Sequence, residues 1–345
     1  MPVSCIVLFS GGLDSTIAVH LLTQQNIAVT ALHFVAPFDI TLNGKYETIS
    51  ERSRLLGVPL QIIEQGEDFT AMMKDPRFGF GKNANPCMDC RIQRLTRAHA
   101  IMRELGASFI ATGEVLGQRP MSQRRDCLDI IEKLTGLRGL LLRPLCAKLL
   151  PATIPEEKKW VDRERLLAIS GRSRKEQIAY AAQFGLTYSA PAGGCLLTLE
   201  PAALRFEDLR AHTPDFSVSD IRLIGLGRHF RLNPECKLIV GRNEEENLYL
   251  LRELTDDDYR LSLTDFEGPL GIVRGKAGRD DLLQAARILV RFSKARNEAL
   301  VRITAERKQA KEVLEAKPAE DEECARYRIG KMAISPRRHT KAHEE

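Results

Sequence analysis

The sequence predicts an α/β protein, a doubly wound parallel sheet followed by a second, smaller α+β domain. Three observations carry this. Over residues 1–200, apolar runs of strand length alternate with stretches of helical periodicity, the pattern of parallel βαβ units. A turn rich in serine and glycine joins the first strand to the first helix, where doubly wound sheets place their ligands. Past Glu200 the pattern changes to short β-like runs and two helices. The 345 residues suffice for two domains.

In order, Cys5 to Phe9 is the first expected strand, and Thr16 to Gln24 the first helix, with Ile17, Leu21 and Leu22 on one face. Val29 to Phe34 is a strand, Lys45 to Leu56 a helix closed by Gly57, and Pro59 to Glu64 a strand. A long helical stretch is expected after Asn83–Arg91, running to about Leu105, then a strand over Ser108 to Thr112. Leu128, Ile131 and Leu134 mark a further helix, and Leu140 to Leu145 a strand. Glu156 to Ile169 reads as a helix, and another opens at Gly171–Glu176, with Ser173 as N-cap and Glu176 completing a capping box. In the second half, strands are expected at Ile221–Leu226, Lys237–Val240, Tyr259–Leu263 and Leu270–Val273, and helices at Glu244–Leu254 and Asp280–Ser293. The expected divisions are 1–200, 215–305 and a charged tail over 306–345.

The organising stretch is Ser10-Gly11-Gly12-Leu13-Asp14-Ser15. Strand, small turn, helix aims backbone N–H groups at an anion. Gly11 and Gly12 allow close approach, and Ser10 and Ser15 add hydroxyl donors. Asp14 repels bare phosphate, so its presence implies a nucleotide carrying Mg²⁺. No lysine follows the glycines, which excludes the Walker A pattern. A second polar loop, Thr112-Gly113 with Gln118, Ser122 and Gln123, follows another strand and could line the same pocket. Arg174 and Lys175 stand at a helix start, where positive charge opposes the dipole; phosphate contact is a reason to keep them there.

Cys87 and Cys90 are expected just before, or at, a helix N-terminus beside Arg91 and Arg94, whose charge favours thiolates. No second CxxC follows, which disfavours a four-cysteine zinc site. Cys195 follows Gly193-Gly194 on adaptable backbone. Cys5, Cys127, Cys146, Cys236 and Cys324 read as structural thiols. The net charge of +5 permits nucleic-acid binding without requiring it. With no leader, no long apolar run and eight cysteines, a reduced, cytoplasmic protein with no membrane span is expected.

SGGLDS, ATGEVLGQ followed by Ser122-Gln123, LRPL and the cysteine positions together resemble the tRNA 4-thiouridine synthase (ThiI) family of pyrophosphate-loop ATP pyrophosphatases, over about residues 4 to 200. The resemblance implies an adenine nucleotide alpha hydrolase-like fold and ATP with Mg²⁺ as cofactor. It implies tRNA as partner, adenylation of a uracil carbonyl, and replacement of its oxygen by sulfur from sulfide or a persulfide carrier. It makes Asp14, Lys175 and the three cysteines catalytic, and Ser10, Gly11, Gly12, Asp14, Ser15, Thr112, Gly113, Gln118, Ser122, Gln123 and Arg174 nucleotide-binding. Cys87, Cys90 and Cys195 suit a [4Fe–4S] cluster with one iron open, as in some sulfur-inserting relatives. The rival is a persulfide relay ending in a disulfide with Cys195. The chain departs from the family at its front: the loop already begins at Ser10, without the usual N-terminal RNA-binding domain, and no rhodanese-type domain is evident.

Gly241-Arg242-Asn243-Glu244-Glu245-Glu246-Asn247 resembles the signature of the NFACT-type RNA-binding domain, over roughly 215 to 305. Arg228, His229, Arg231, Lys237, Arg242, Arg274, Lys276 and Arg279 are candidates for phosphate contact, led by Arg242 and Lys276. Two other functions compete: sulfur insertion or amide formation on a small metabolite, and an RNA-binding protein with a degenerate nucleotide site. The oligomeric state is left open.

Overall fold

The computed structural model describes residues 3–39, 42–189 and 195–330, without the side chains of 42–46. Two compact units emerge. The first runs to Thr198 and includes Asp215–Arg222; the second holds Leu199–Pro214 and the chain from Leu223 on.

The first unit is built on strands β1 (Ser4–Leu8), β2 (Ala28–Val35), β3 (Leu60–Glu64), β4 (Phe109–Thr112) and β5 (Leu141–Leu142). They form one parallel sheet in the order β3-β2-β1-β4-β5. Helices α1 (Leu13–Thr23), α2 (Leu42–Leu55), α3 (Glu67–Lys74), α4 (Cys87–Glu104) and α5 (Arg125–Thr135) fill the crossovers, and α6 (Ile154–Glu157) and α7 (Lys175–Gln183) continue the chain beyond β5. The apolar run of β1 supplies both layers, because side chains alternate across a strand. Cys5 and Val7 pack with Ile17 and Leu21 of α1 on one face. Ile6 and Leu8 pack with Leu95 of α4 and Ile131 of α5 on the other. Ile6→Ala would cost about 2–5 kcal/mol.

The second unit holds α8 (Glu200–His212) and, after α9 (Val218–Leu223) at the boundary, β6 (Arg228–Asn233), β7 (Cys236–Val240), α10 (Glu244–Arg252), β8 (Tyr259–Leu263), β9 (Gly271–Gly275), α11 (Arg279–Arg291), β10 (Val301–Arg307), β11 (Ala310–Ala316) and α12 (Asp321–Tyr327). Its sheet is antiparallel, in the order β11-β10-β8-β9-β7-β6. The apolar face of α11, with Leu282, Ala285 and Leu289, packs with Leu238, Leu261 and Ile303 from the sheet, and these share one core.

Several expected elements differ. The helix expected over 156–169 stops after α6, because Lys159 takes a left-handed conformation (φ 56°) and turns the chain. The strand expected over 140–145 is only Leu141–Leu142; Pro144 lacks an N–H, and Cys146 N closes a turn onto Arg143 O at 3.0 Å. Ser173 is not the N-cap of α7: Arg174 holds that position, and Ser173 Oγ accepts from Lys175 N at 3.4 Å. The strand expected at 221–226 begins instead as α9. Ser217 and Asp220 cap its start, with Asp220 Oδ2 accepting from Ser217 N at 2.9 Å, and this outweighs the β-propensity of Ile221.

The tail expected from 306 is ordered through β11 and α12. Lys308 (φ 54°) turns a hairpin, and Val301, Ile303 and Ala305 face inward with Leu314 and Ala316. The alternating charges of this stretch are the solvent side of a strand pair. Residues 331–345 lie outside the described residues, as do 190–194 beside Cys195. Among the described residues no helix is long and apolar enough to cross a membrane.

Candidate nucleotide and thiol site

The Ser10–Ser15 turn leaves β1 and starts α1 at the carboxyl edge of the sheet. Gly12 occupies the N-cap in an extended conformation with no side-chain cap, so first-turn N–H groups are left for a ligand. Gly11 needs glycine, with φ at 70°. The turn is tied internally: Ser15 Oγ donates to Gly12 O at 3.0 Å, and the Ser10 and Ser15 hydroxyls lie 3.2 Å apart. It is also tied from outside. Ser189 N donates to Gly11 O at 3.0 Å, and Arg52 on α2 donates to Gly11 O at 3.3 Å and to Ser189 Oγ. Burial lowers the Arg52 guanidinium below its usual range. The sequence did not single out Arg52 or Ser189; nothing in their local pattern marks them.

Asp14 is the meeting point. Its Oδ2 accepts from Gln118 Nε2 at 3.0 Å and from Arg174 at 3.3 Å. Its Oδ1 is buried without a hydrogen-bond partner, and so is Gln118 Oε1. Two acceptor oxygens left bare at one place fit a cation such as Mg²⁺, a hard ion that prefers oxygen. The structure therefore brings Ser10, Gly11, Gly12, Asp14, Ser15, Gln118 and Arg174 together. Thr112, Gly113, Ser122 and Gln123 stand behind them. Thr112 is buried and donates to Glu114 at 3.1 Å. A Cβ on Gly113 would sit 2.6 Å from Ser15 N, so only glycine lets β4 approach the start of α1. Ser122 and Gln123 are buried, and Gln123 O closes the loop on Gly117 N at 2.7 Å. Lys175 is exposed at the start of α7, next to Arg174.

Glu114 and Arg143, which the motifs contain without explaining, form a buried network. Arg91 Nε lies 3.1 Å from Glu114 Oε1, Arg143 Nε lies 3.0 Å from Oε2, and Arg143 also pairs with Glu132. Burial alone would raise the Glu114 carboxyl; Arg91 and Arg143 more than offset it and hold it below the usual range. Arg91 is thus committed to Glu114, while Arg94 Nε donates to the neutral amide of Gln65 at 2.9 Å.

Cys195 lies within electrostatic reach of Cys87 and Cys90 although about a hundred residues separate them. Asn83 Nδ2 donates to Thr198 O at 2.6 Å, and Thr198 N donates to Cys195 O at 2.9 Å, which draws the Cys195 turn onto the segment before α4. Burial pushes the Cys195 thiol up to about 12, and Cys90, Asp39 and Cys87 act in the same direction, as neighbours do. Asn85 Nδ2 bridges Cys87 Sγ at 3.2 Å and Met121 Sδ at 3.3 Å, joining the thiols to the loop that carries Gln118. All eight cysteines are free. Among the described residues no three His, Cys, Asp or Glu side chains are close enough to hold one metal ion.

In the second unit the Gly241–Asn247 signature is mostly internal. Asn243 caps α10 by accepting from Glu246 N at 2.8 Å; Asn247 Oδ1 accepts from Leu270 N at 3.0 Å; Glu246 accepts from Arg242 Nε at 2.7 Å and Gly227 N at 3.2 Å. Of the candidate phosphate contacts, His229 and Lys237 are corrected outright. Both are buried, and burial with the nearby Arg205 charge keeps His229 neutral, its Nε2 at 2.8 Å from Leu226 O. Arg231 is paired with Asp208, Arg274 with Asp258 and Lys276 with Glu235. Arg228, Arg242 and Arg279 remain at least partly exposed.

Residues 3–148 match the family model described as thiamine biosynthesis protein (ThiI), and 227–328 match the NFACT protein RNA binding domain. A tRNA-specific 2-thiouridylase MnmA of Petrotoga mobilis is 28% identical over 132 residues, 32% of this chain and 35% of the relative. A probable tRNA sulfurtransferase of Moorella thermoacetica is 32% identical over 146 residues, 41% of this chain and 35% of the relative. The chain thus spans about a third of the length of the curated relatives it matches. A 4-thiouridine synthetase solved with RNA and bound ATP aligns at a TM-score of 0.35 and 23% identity, over 51% of this chain and 50% of that one. The chain accordingly carries a ThiI-type domain in its first part and an NFACT-type RNA-binding domain in its second.

Proposed function

We propose that this protein is an ATP-dependent tRNA sulfurtransferase that converts a uridine to 4-thiouridine. One observation carries the reading: Asn85 joins Cys87 to Met121 in the loop whose Gln118 bonds to Asp14, with Cys90 one helical turn from Cys87 and Cys195 within electrostatic reach of both. The relatives named as sulfurtransferase and thiouridylase, and the RNA-binding domain match, support it.

The uracil carbonyl oxygen attacks the α-phosphorus of ATP and pyrophosphate leaves. Hydrosulfide then adds to the activated carbon, and AMP departs with the former carbonyl oxygen. The α1 N–H groups, Ser10, Ser15, Arg174 and Lys175 offset the charge that develops on the phosphates. Asp14 and Gln118 would hold Mg²⁺ through their free oxygens.

Cys87, Cys90 and Cys195 would hold a [4Fe–4S] cluster through their thiolates. When bound, it supplies an iron without a protein thiolate, open to a sulfur donor.

Pyrophosphate release from Mg-ATP on adding bulk tRNA, but not small metabolites, tests the activity; release without RNA would favour the metabolite reading. Anaerobic reconstitution should give brown protein. Each Cys→Ala change should lose iron and thiolation while AMP formation survives in part; a colourless, fully active preparation would remove the cluster from the account.

A further inference from the structure

Four arginines of the second unit cluster around the Ile224–Gly227 turn, Gly241 and the rings of Phe230 and Phe292, with one carboxylate, Glu246, among them. Arg205, on α8, donates to Ile224 O at 2.9 Å and Gly227 O at 3.2 Å, and its Nε is buried without a hydrogen-bond partner. Arg228 donates to Gly241 O at 3.4 Å, and Arg242 to Gly225 O at 3.5 Å. The Arg228 guanidinium lies 4.8 Å from the Phe292 ring centre. That of Arg328 lies 5.4 Å from Phe230 and 6.0 Å from Phe292. Among the described residues Glu246, bonded to Arg242, is the carboxylate within this group.

Five other arginines of the unit are each matched to one carboxylate: Arg231 with Asp208, Arg274 with Asp258, Arg287 with Glu323, Arg291 with Asp321, Arg302 with Asp265. Here four positive charges face one negative. Burial, then Arg242 and Arg328, bring the Arg205 guanidinium down to about 10. Burial followed by Arg242 lowers Arg228, and burial followed by Arg228 lowers Arg328; only Arg242, bonded to Glu246, moves up. All stay charged at neutral pH, so the crowding is an electrostatic cost that an anion would relieve. Guanidiniums stacked on rings are held in place with their N–H edges available.

We propose that Arg205, Arg228, Arg242 and Arg328 form a binding site for the phosphodiester backbone of RNA. This rests on the reading of the protein as tRNA-modifying. Arginine forks bind phosphate oxygens in pairs, and each phosphate neutralised releases a counterion. The site is not confined to the matched RNA-binding segment, because Arg205 and α8 precede residue 227.

The test is fluorescence anisotropy of labelled bulk tRNA against the full chain across a salt series. The comparison is between wild type, Arg205→Gln/Arg328→Gln, and Arg291→Gln/Arg302→Gln as a control of equal charge change. The first double variant should lose about tenfold or more at physiological salt, and its log–log slope should fall by about 1.4–1.8, two phosphates' worth. The control should bind within about twofold of wild type, because its arginines are already paired. Wild-type affinity in the first variant, or equal losses in both, overturns the site. Arg328→Gln alone, whose side chain lies on rings, guards against misfolding and should show half the slope change. In a second arm, inorganic tripolyphosphate should raise the thermal midpoint of wild type but not of the double variant. If wild type binds no tRNA yet shows this shift, the anion site stands and the tRNA reading falls. Absence of both effects overturns the site.

Discussion

Two clusters of arginine and glutamate, one in each unit, use the same side chains to opposite ends. In the first, Glu114 and Glu132 meet Arg91 and Arg143, and the charges cancel in the interior. In the second, Arg205, Arg228, Arg242 and Arg328 crowd one another, and Glu246, bonded to Arg242, is the carboxylate that acts on Arg205 and Arg228. A balanced buried cluster is paired and hydrogen-bonded, so it fixes geometry: it holds α4, with its thiols, against the ends of β4 and β5. An unbalanced, partly exposed cluster keeps electrostatic free energy that a ligand can lower. The number of carboxylates, rather than the number of arginines, separates scaffold from binding surface.

The largest effect should come from unbalancing the first cluster. Glu114→Gln leaves Arg91 and Arg143 without their shared countercharge and should cost about 3–5 kcal/mol in urea unfolding at pH 7. The Glu114 carboxyl is held below its usual value, so its contribution is full above the ordinary glutamate range and is lost as pH falls through the depressed one. The gap between wild type and variant should therefore close in acid. Equal midpoints at pH 7 would mean that the network holds nothing.

Next comes the ligand side of the first unit. Asp14→Ala should lower Mg-dependent pyrophosphate release at least ~100-fold while tRNA binding by the second unit persists. Normal turnover in that variant would sink the nucleotide assignment. Lys175→Ala, at an exposed position, should slow adenylation about tenfold without lowering the thermal midpoint; an unchanged rate would return Lys175 to the solvated surface.

The thiols give a subtler check at alkaline pH. Burial pushes Cys146 in the first unit and Cys236 and Cys324 in the second up to about 11. Raised values mean stability that is present below the unfolded thiol's value near 9 and lost as pH rises through 11. Unfolding should ease from pH 9 upward in both units, and Cys146→Ala should lessen that slope for the first without removing it, because burial raises Cys5 as well. The smallest effect is expected in the second cluster: Arg328→Gln removes repulsion as well as ring contact and should change stability by under about 1 kcal/mol. A loss as large as that of Glu114→Gln would erase the distinction between the clusters.

The parallel unit was legible because its signals are local. Cys5 to Phe9 is buried on both faces and reads as one apolar run; Gly11 and Gly12 announce the turn; Asp14 is out of place for a plain phosphate loop. The hidden features depend on distant partners. Arg52 reaches Gly11 from α2, and Glu114 finds Arg143 across two strands; no window of sequence holds both ends of either contact. In the second unit the recognised signature proved to be largely caps and loop anchors, Asn243 and Asn247 among them. Arg205 and Arg328 were passed over because both lie outside the Gly241–Asn247 signature and the stretch assigned to that domain. The stretch after 306 looked like a tail because Arg302, Glu306, Lys311 and Glu315 alternate with small or aliphatic residues, which on a strand is simply its outer face.

The most direct measurement is nucleoside mass spectrometry of bulk tRNA after anaerobic incubation with the iron- and sulfide-reconstituted full chain, Mg-ATP and sulfide. 4-Thiouridine should appear together with matching amounts of AMP and pyrophosphate, and Asp14→Ala and Cys195→Ala should each abolish it. Sulfur at carbon 2 would move the reacting carbonyl and keep the chemistry. Unmodified tRNA, with no AMP formed, would contradict the account.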